Sequence, residues 1–473
     1  MVNASTATPT LNLRRVVRMW WPLAASWLLM SLELPAVSAV VARLPNPEIN
    51  LAAYGGVVFP IALIVEAPII MLLAASTALS RDLASYQRLH RYMMRAGFVL
   101  TALHLLVALT PLYYVVVEGL IGAPQEIIEP ARIGLIIMTP WTWSIAYRRF
   151  NQGVLIRFDQ SRAVGIGTAV RLGSGWLVLL AGYLIGTLPG IVVGTTAVAV
   201  GVVSEAAYIG LRTRPVVNGP LKAAPTVEPA LTLPVFLAFY VPLALTSLMS
   251  LLIQPIGSAA LSRMPLALES LAAWPVMSGI SFMFRSPGIA YNEVVVALFE
   301  EPGAVKTLRR FALYLSISVT ALLLIVTATP LAPFYLSEVS ALSAELVELA
   351  RPGLWLLLPL PALIAVQNWY QGAIVTSRRT RGITEAIVIF LLTSIIVFGI
   401  GIVWGEVAGL HVGLAGFTLA TLTQTAWLWV RSRPVMRAAE GRAGTVPVEP
   451  IEAFTDAPPA PHSATSEVEA PYV

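Results

Sequence analysis

Residues 126–135 read EIIEPARIGL and residues 345–354 read ELVELARPGL. Glu126, Glu129, Ala131, Arg132 and Gly134 stand opposite Glu345, Glu348, Ala350, Arg351 and Gly353 at a constant offset of 219. Similarity held at one offset is the signature of a structural unit written more than once. The register continues on both sides. Upstream, at an offset of 220, Pro22-Leu23-Ala24 matches Pro242-Leu243-Ala244, Pro35 matches Pro255, and Arg43-Leu44-Pro45 matches Arg263-Met264-Pro265. Leu51-Ala52-Ala53-Tyr54 matches Leu271-Ala272-Ala273-Trp274 at the same spacing. Downstream, Gln152-Gly153 matches Gln371-Gly372, and Arg212-Thr213-Arg214-Pro215 matches Arg431-Ser432-Arg433-Pro434.

The unit is built for lipid. The chain of 473 residues is 57% hydrophobic and 12% charged, with a mean hydropathy of +0.79, against about 25% charged residues in soluble domains. Apolar runs lie near residues 19–42, 51–80, 96–117, 130–147, 163–186, 189–211, 235–262, 270–298, 311–336, 350–377, 383–405 and 407–430. Most exceed the roughly 20 residues that cross a hydrocarbon core, so the sequence predicts an all-α polytopic membrane protein with twelve transmembrane helices. The first run carries Glu33 and lacks a small-residue cleavage site, which predicts a retained helix. Internal prolines at 35, 68, 140, 255 and 287 predict kinks. Six runs per unit is an even number. Both units therefore enter from the same side and are related by a pseudo-twofold axis along the membrane normal.

Basic residues set the orientation, because short cytoplasmic loops are rich in Arg and Lys. Clusters at Arg14/Arg15/Arg18, Arg81 to Arg95, Arg148 to Arg162, Arg212 to Lys222, Lys306 to Arg310, Arg378 to Arg381 and Arg431 to Arg442 alternate with sparse loops holding Arg43, Arg132, Arg263 and Arg351. Both termini are predicted to be cytoplasmic, and the net charge of +5 is topology rather than affinity for nucleic acid. The division is an N-terminal six-helix lobe over 1–215, a cytoplasmic linker over 216–234, a C-terminal six-helix lobe over 235–435, and a disordered cytoplasmic tail over 436–473. Only Lys222 and Lys306 are lysine among thirty basic residues. That bias hints at a GC-rich bacterial genome and hence a bacterial inner membrane.

Several chemistries are excluded. The absence of cysteine removes disulfides and thiolate sites. No Gly-Lys dipeptide exists, so no P-loop Lys can hold a nucleotide phosphate. Without HExxH, GxSxG or a carboxylate pair beside an activated histidine, no enzyme is expected. No cofactor or metal site is expected either. Secondary transport by a monomer, with possible proton or sodium coupling, is what remains.

Charges inside spans cost at least about 2.5–3.5 kcal/mol each at the centre and normally face a bundle interior or a water-filled cavity. Glu66, in the middle of the second run, and Arg285, in the middle of the eighth, occupy equivalent positions of the repeat. If those helices line a central cleft, acid and base approach one another. Either a substrate anion displaces Glu66 from Arg285, or the two form a fixed structural pair. Gln254 and Ser258 flank Pro255 and are substrate-binding candidates or repairs of the kink. Asn292 and Glu293 line an inner vestibule or snorkel to the interface. Glu33 and Glu66 are candidates for a coupling ion, since a carboxyl in an apolar wall exchanges protons near neutral pH. Arg171 and Glu205 lie at similar depth in one lobe and are expected to form a structural ion pair, and His104 has no companion ligand and is expected to be structural.

Two six-helix lobes in parallel repeat, with proline-kinked first helices, resemble the exporter and flippase superfamily that includes the multidrug and toxin extruders. Within it the sequence is most similar to the progressive ankylosis family. The likeness rests on Trp21-Pro22-Leu23, Leu51-Ala52-Ala53-Tyr54-Gly55, Ser80-Arg81-Asp82, Pro242-Leu243-Ala244-Leu245, Gln254-Pro255-Ile256 with Ser262-Arg263, and Trp274-Pro275-Val276. It implies export of anionic metabolites such as citrate, nucleotide or pyrophosphate, and Arg285 suits such a solute. Helix 1 reads Leu32-Glu33-Leu34-Pro35 where the animal proteins are expected to be more polar and acidic, so their substrates are not carried over. In the cation-coupled extruders a helix-1 acid takes the coupling ion, a role that falls here to Glu33. The expectation is a secondary transporter, in the exporting direction, of a small organic or phosphate-containing anion. A multidrug exporter or a flippase of lipid-linked saccharides is the alternative within the superfamily. A membrane scaffold or receptor is the alternative outside it.

Overall fold

A computed structural model describes residues 11–377 and 381–442. Arg378 and Arg379 of one basic loop, and residues 443–473 of the expected tail, lie outside the described residues. Among the described residues the regular structure is all helical. We number the long helices α1 Leu13–Val41, α2 Pro47–Leu79, α3 Leu83–Leu109, α4 Gln125–Arg157, α5 Ser161–Ile185, α6 Gly190–Leu221, α7 Leu233–Leu261, α8 Ala267–Leu298, α9 Ala304–Ala328, α10 Ala344–Thr376, α11 Arg381–Trp404 and α12 Gly409–Arg442. Among the described residues ten of these, all but α4 and α12, are long and apolar enough to cross a membrane.

Proline decides where the rods break. It has no N–H for the carbonyl four residues back, and its ring clashes with that carbonyl. Pro35 accordingly ends the first segment of α1 at Ser31, and Pro255 ends that of α7 at Leu251. Pro361 ends the first segment of α10 at Leu357. Pro68, Pro140 and Pro287 sit within helical segments that continue past them. Gly186 and Gly405 close α5 and α11 at φ +71° and +68°, a left-handed conformation that costs glycine nothing.

Burial differs widely among the helices. In the most apolar windows of α2, α6 and α8, 56%, 67% and 61% of residues are buried; in α3 and α5 only 22% are. The outward faces of α3, α5, α9 and α11 expose Leu106, Leu184, Ile317 and Val403 with no protein to cover them. A contiguous apolar jacket of this kind is a surface for lipid.

Three boundaries differ from the sequence reading. The fourth run was expected to end at 147 with Arg148 and Arg149 in a basic loop, yet α4 continues to Arg157 and Arg148 is 4% exposed. The helix survives there because Arg148 turns inward to an acid on α6. The last described helix, α12, runs to Arg442, past the expected boundary at 435. The stretch 216–234 begins helically, with α6 continuing to Leu221, and then docks on α3. There the N–H of Val227 donates to Asp82 at 2.9 Å and Arg88 donates to the carbonyl of Leu231 at 2.7 Å.

The first half (α1–α6) and the second (α7–α12) meet chiefly through α1 and α2 against α8, and through α2 against α7. Their contacts come in reciprocal pairs. The indole N–H of Trp20 donates to the carbonyl of Pro287 at 2.9 Å, and 220 residues on, the hydroxyl of Tyr240 donates to the carbonyl of Pro68. Gly55 packs directly on its own counterpart, Pro275; a Cβ on Gly55 would stand 2.7 Å from Pro275 Cδ.

Candidate functional site

Among the described residues, polar side chains gather in the apolar interior of each half. In the first half the carboxylates of Glu33, Glu66 and Glu205 gather with the guanidinium groups of Arg148, Arg149 and Arg171. The break in α1 sets up one pair: Glu33 opens the helical segment that follows, where the helix dipole favours a negative charge, and it accepts from Arg171 of α5. A second pair joins α4 to α6. Arg148 Nη1 donates to Glu205 Oε2 at 2.5 Å, and Gln152 Nε2, one turn along α4, donates to Glu205 Oε1 at 2.9 Å.

The expected pairing of Arg171 with Glu205 is therefore corrected. Both belong to one cluster, but each has a nearer partner, because the break at Leu32 brings Glu33 to α5 and the extension of α4 brings Arg148 to α6. The cluster is charge-matched but not fully satisfied. Glu66, 6% exposed, has a buried Oε2 with no hydrogen-bond partner, and the Nε atoms of Arg148, Arg149 and Arg171 are likewise unpartnered. Arg149, Arg148 and Arg171 are the cations that act on Glu66 electrostatically.

Arg285 is not among them, which corrects the expected approach of Glu66 to Arg285 across a cleft. Gly55 meets its sequence counterpart Pro275, whereas Glu66 and Arg285 each lie among residues of their own half. Arg285 forms no ion pair among the described residues. Its Nε donates to the carbonyl of Ser281 at 3.3 Å, and its guanidinium carbon lies 4.9 Å from the centre of the Phe417 ring.

Arg285 lines a cavity of about 300 Å³ between α7, α8, α10, α11 and α12. Along α8, Trp274, Ser278, Ser281 and Arg285 recur at helical spacing and present one face to it. Gln254, Gln367 and Gln424 add amides, and Phe390, Phe398 and Phe417 complete an aromatic wall. The Ser281 hydroxyl is buried without a partner. No acid lines the cavity.

Other predicted residues fall elsewhere. Ser258 is buried beside the cavity and donates to the carbonyl of Gln254 at 3.2 Å. Asn292 donates to the carbonyl of Asn368 at 3.3 Å, tying α8 to α10, and Glu293 is exposed. Both of the latter lie about two turns from Arg285 and outside the cavity lining. His104 is held between Thr142 Oγ1 at 2.8 Å and the carbonyl of Leu135 at 2.9 Å. Sequence reasoning missed Ser278 and Ser281, although their spacing with Arg285 was legible. It also missed Gln367, Gln424 and the three phenylalanines, whose convergence depends on how α10, α11 and α12 pack.

No family model matches the chain, and no curated protein matches it. Solved structures do. An inward-facing multidrug resistance MATE family transporter of the MOP superfamily aligns at 12% identity over 91% of this chain and 99% of its own, with a TM-score of 0.70. The lipid II flippase MurJ in an inward closed conformation aligns at 14% identity over 89% and 90%, with a TM-score of 0.69. An outward-facing MATE family transporter of the MOP superfamily aligns at 16% identity over 90% and 96%, with a TM-score of 0.57. The chain has the fold of these membrane transporters and is an integral membrane protein.

Proposed function

We propose that the chain is a secondary active transporter that exports a small organic or phosphate-containing anion by alternating access between two six-helix lobes, residues 1–215 and 235–435. In this reading α4 and α12 complete a set of twelve spans. The basic loops and both termini face the cytoplasm of a bacterial inner membrane, and the unit is a monomer. The observation that carries the proposal is Arg285: a cation without an acidic partner, facing an interior cavity. Such a charge is costly unless an anion completes it. Gln254 belongs to the same site, and Ser258, Asn292 and Glu293 have a supporting part at most. Among the coupling candidates, the unpartnered carboxylate oxygen of Glu66 favours it over Glu33, whose carboxylate is occupied by Arg171. Arg148–Glu205 replaces Arg171–Glu205 as the structural pair.

The likeness to the progressive ankylosis family is carried as part of this reading. Two of its short motifs, Leu51 to Gly55 and Trp274 to Val276, meet at the Gly55–Pro275 contact. The higher TM-score against an inward-facing structure than an outward-facing one supports closure at the outer end. The flippase reading is favoured by a similarity in fold to MurJ that matches the one with the inward-facing multidrug transporter. A single guanidinium in a small cavity speaks against a lipid-linked diphosphate. An anion-uptake screen in proteoliposomes, with and without a pH or sodium gradient, tests the proposal. Arg285→Gln abolishes uptake and Glu66→Gln uncouples it from the gradient; uptake insensitive to Arg285→Gln overturns it.

A further inference from the structure

The cavity around Arg285 holds more information than the sign of its ligand. We infer that it is built for a monoanion with an aromatic or similarly flat apolar body, and not for a polyanion such as citrate or pyrophosphate. The inference rests on the anion-transport reading and narrows it.

Charge balance is the first ground. Arg285 is the sole charged side chain among the lining residues. One guanidinium offers a planar fork that pairs with one carboxylate, and every additional negative charge would be desolvated without a partner at a cost of several kcal/mol. The remaining polar lining is neutral. The Ser281 hydroxyl, one helical turn from Arg285, is buried in the wall and unpartnered, a donor that a small shift of the side chain would turn to the same anionic group. Gln254 and Gln424 make no side-chain hydrogen bond to protein among the described residues, and each offers a donor and an acceptor that suit uncharged polar groups.

Shape and wall chemistry are the second ground. About 300 Å³ lies at the low end of the roughly 300–1,000 Å³ typical of ligand sites, which suits a single-ring acid. Phe417 already holds the guanidinium against its face at 4.9 Å, so a ligand carboxylate paired to Arg285 places its body beside Phe417 and Trp274. Aromatic faces favour offset or edge contacts with another ring and offer a second or third anionic group nothing.

Equilibrium binding of radiolabelled benzoate and phenylacetate to the full-length protein in nanodiscs tests this, with citrate, pyrophosphate and neutral benzyl alcohol as competitors. The expected result is saturable benzoate binding, weakened about tenfold or more by Arg285→Gln, less by Arg285→Lys, and severalfold by Ser281→Ala and Phe417→Leu. Citrate, pyrophosphate and benzyl alcohol do not compete at equal concentration. Thermal unfolding of each variant separates loss of the site from loss of the fold, and Ser281→Ala retains the charge should Arg285→Gln fail to fold. Arg285-dependent binding of citrate or pyrophosphate equal to or tighter than benzoate overturns the monoanion inference and leaves anion transport standing. If no anion of either kind binds in a manner that depends on Arg285 or Ser281, both readings fall.

Discussion

Arg43 and Arg263 stand 220 residues apart and clamp the two halves of the molecule in opposite directions. Arg43, at the end of α1, donates to the carbonyls of Glu338 and Val339 in the second half. Arg263, at the end of α7, donates to those of Ile121 at 2.6 Å and Leu120 at 2.9 Å in the first. In each case the acceptors end a short π-helical turn, Tyr335–Val339 or Val115–Ile121, whose last carbonyls lack intrahelical partners and carry the negative end of the local dipole. In the proposed cycle these are the contacts that must break for the outer end to open.

That role has a measurable consequence. A charge-assisted hydrogen bond contributes about 1.5–3 kcal/mol, and 1.4 kcal/mol is tenfold in a two-state equilibrium. Arg43→Gln with Arg263→Gln should therefore raise the outward-open population about tenfold or more. The chain has no native cysteine, so spin labels on Pro45→Cys and Ser337→Cys report the outer-end separation cleanly. The distance distribution should gain a longer component in the double variant.

Close packing between Gly55 and Pro275 predicts intolerance of a side chain at position 55. Gly55→Val would drive its Cβ to within 2.7 Å of the Pro275 ring, an overpacking that costs about 1–3 kcal/mol. Its Tm should fall by several degrees. Gly399→Ala meets nothing within 4 Å and should leave the Tm unchanged or slightly raised.

The buried pair of the first half should behave asymmetrically. Removing one partner of a buried ion pair leaves an uncompensated charge and costs about 3–5 kcal/mol, whereas replacing both with apolar groups is often neutral. Thermal unfolding of Arg148→Met should show that loss, and Arg148→Met with Glu205→Leu should recover most of it.

At the basic end, Asp82 predicts a pH dependence of stability. Burial opposes its ionised form, but hydrogen bonds from Ser85 and from the N–H of Val227, together with Arg88, outweigh it and hold the carboxyl below its ordinary value. A depressed folded-state value stabilises the fold fully above the unfolded value of about 3.9 and loses that contribution as pH falls through the lower folded one. Asp82→Ala, which also removes the cap of α3, should cost about 1 kcal/mol at neutral pH. The difference from the parent in unfolding free energy should shrink as the pH is lowered below about 4.

Much of this architecture was readable from residues, and the failures have identifiable causes. Apolar runs and the offset of 219–220 located the rods, and Pro35 and Pro255 located the breaks in α1 and α7. Arg148 and Arg149 were misread because adjacent arginines after an apolar run look like a loop; only the fold reveals Glu205 waiting on α6. Glu66 and Arg285 were expected to approach one another from matching places in the sequence, but matching places do not imply contact, and each lies among residues of its own half. The cavity was partly visible in the spacing of Ser278, Ser281 and Arg285. Its other wall is assembled from α10, α11 and α12, and no local pattern announces that convergence.

Proteoliposome uptake of radiolabelled benzoate and citrate, comparing the parent chain with Arg285→Gln and Arg285→Lys at equal reconstitution, bears on the central claim most directly. The account predicts saturable uptake of an anion that falls at least tenfold in Arg285→Gln and is partly retained in Arg285→Lys. Anion uptake that is undiminished in Arg285→Gln would contradict it.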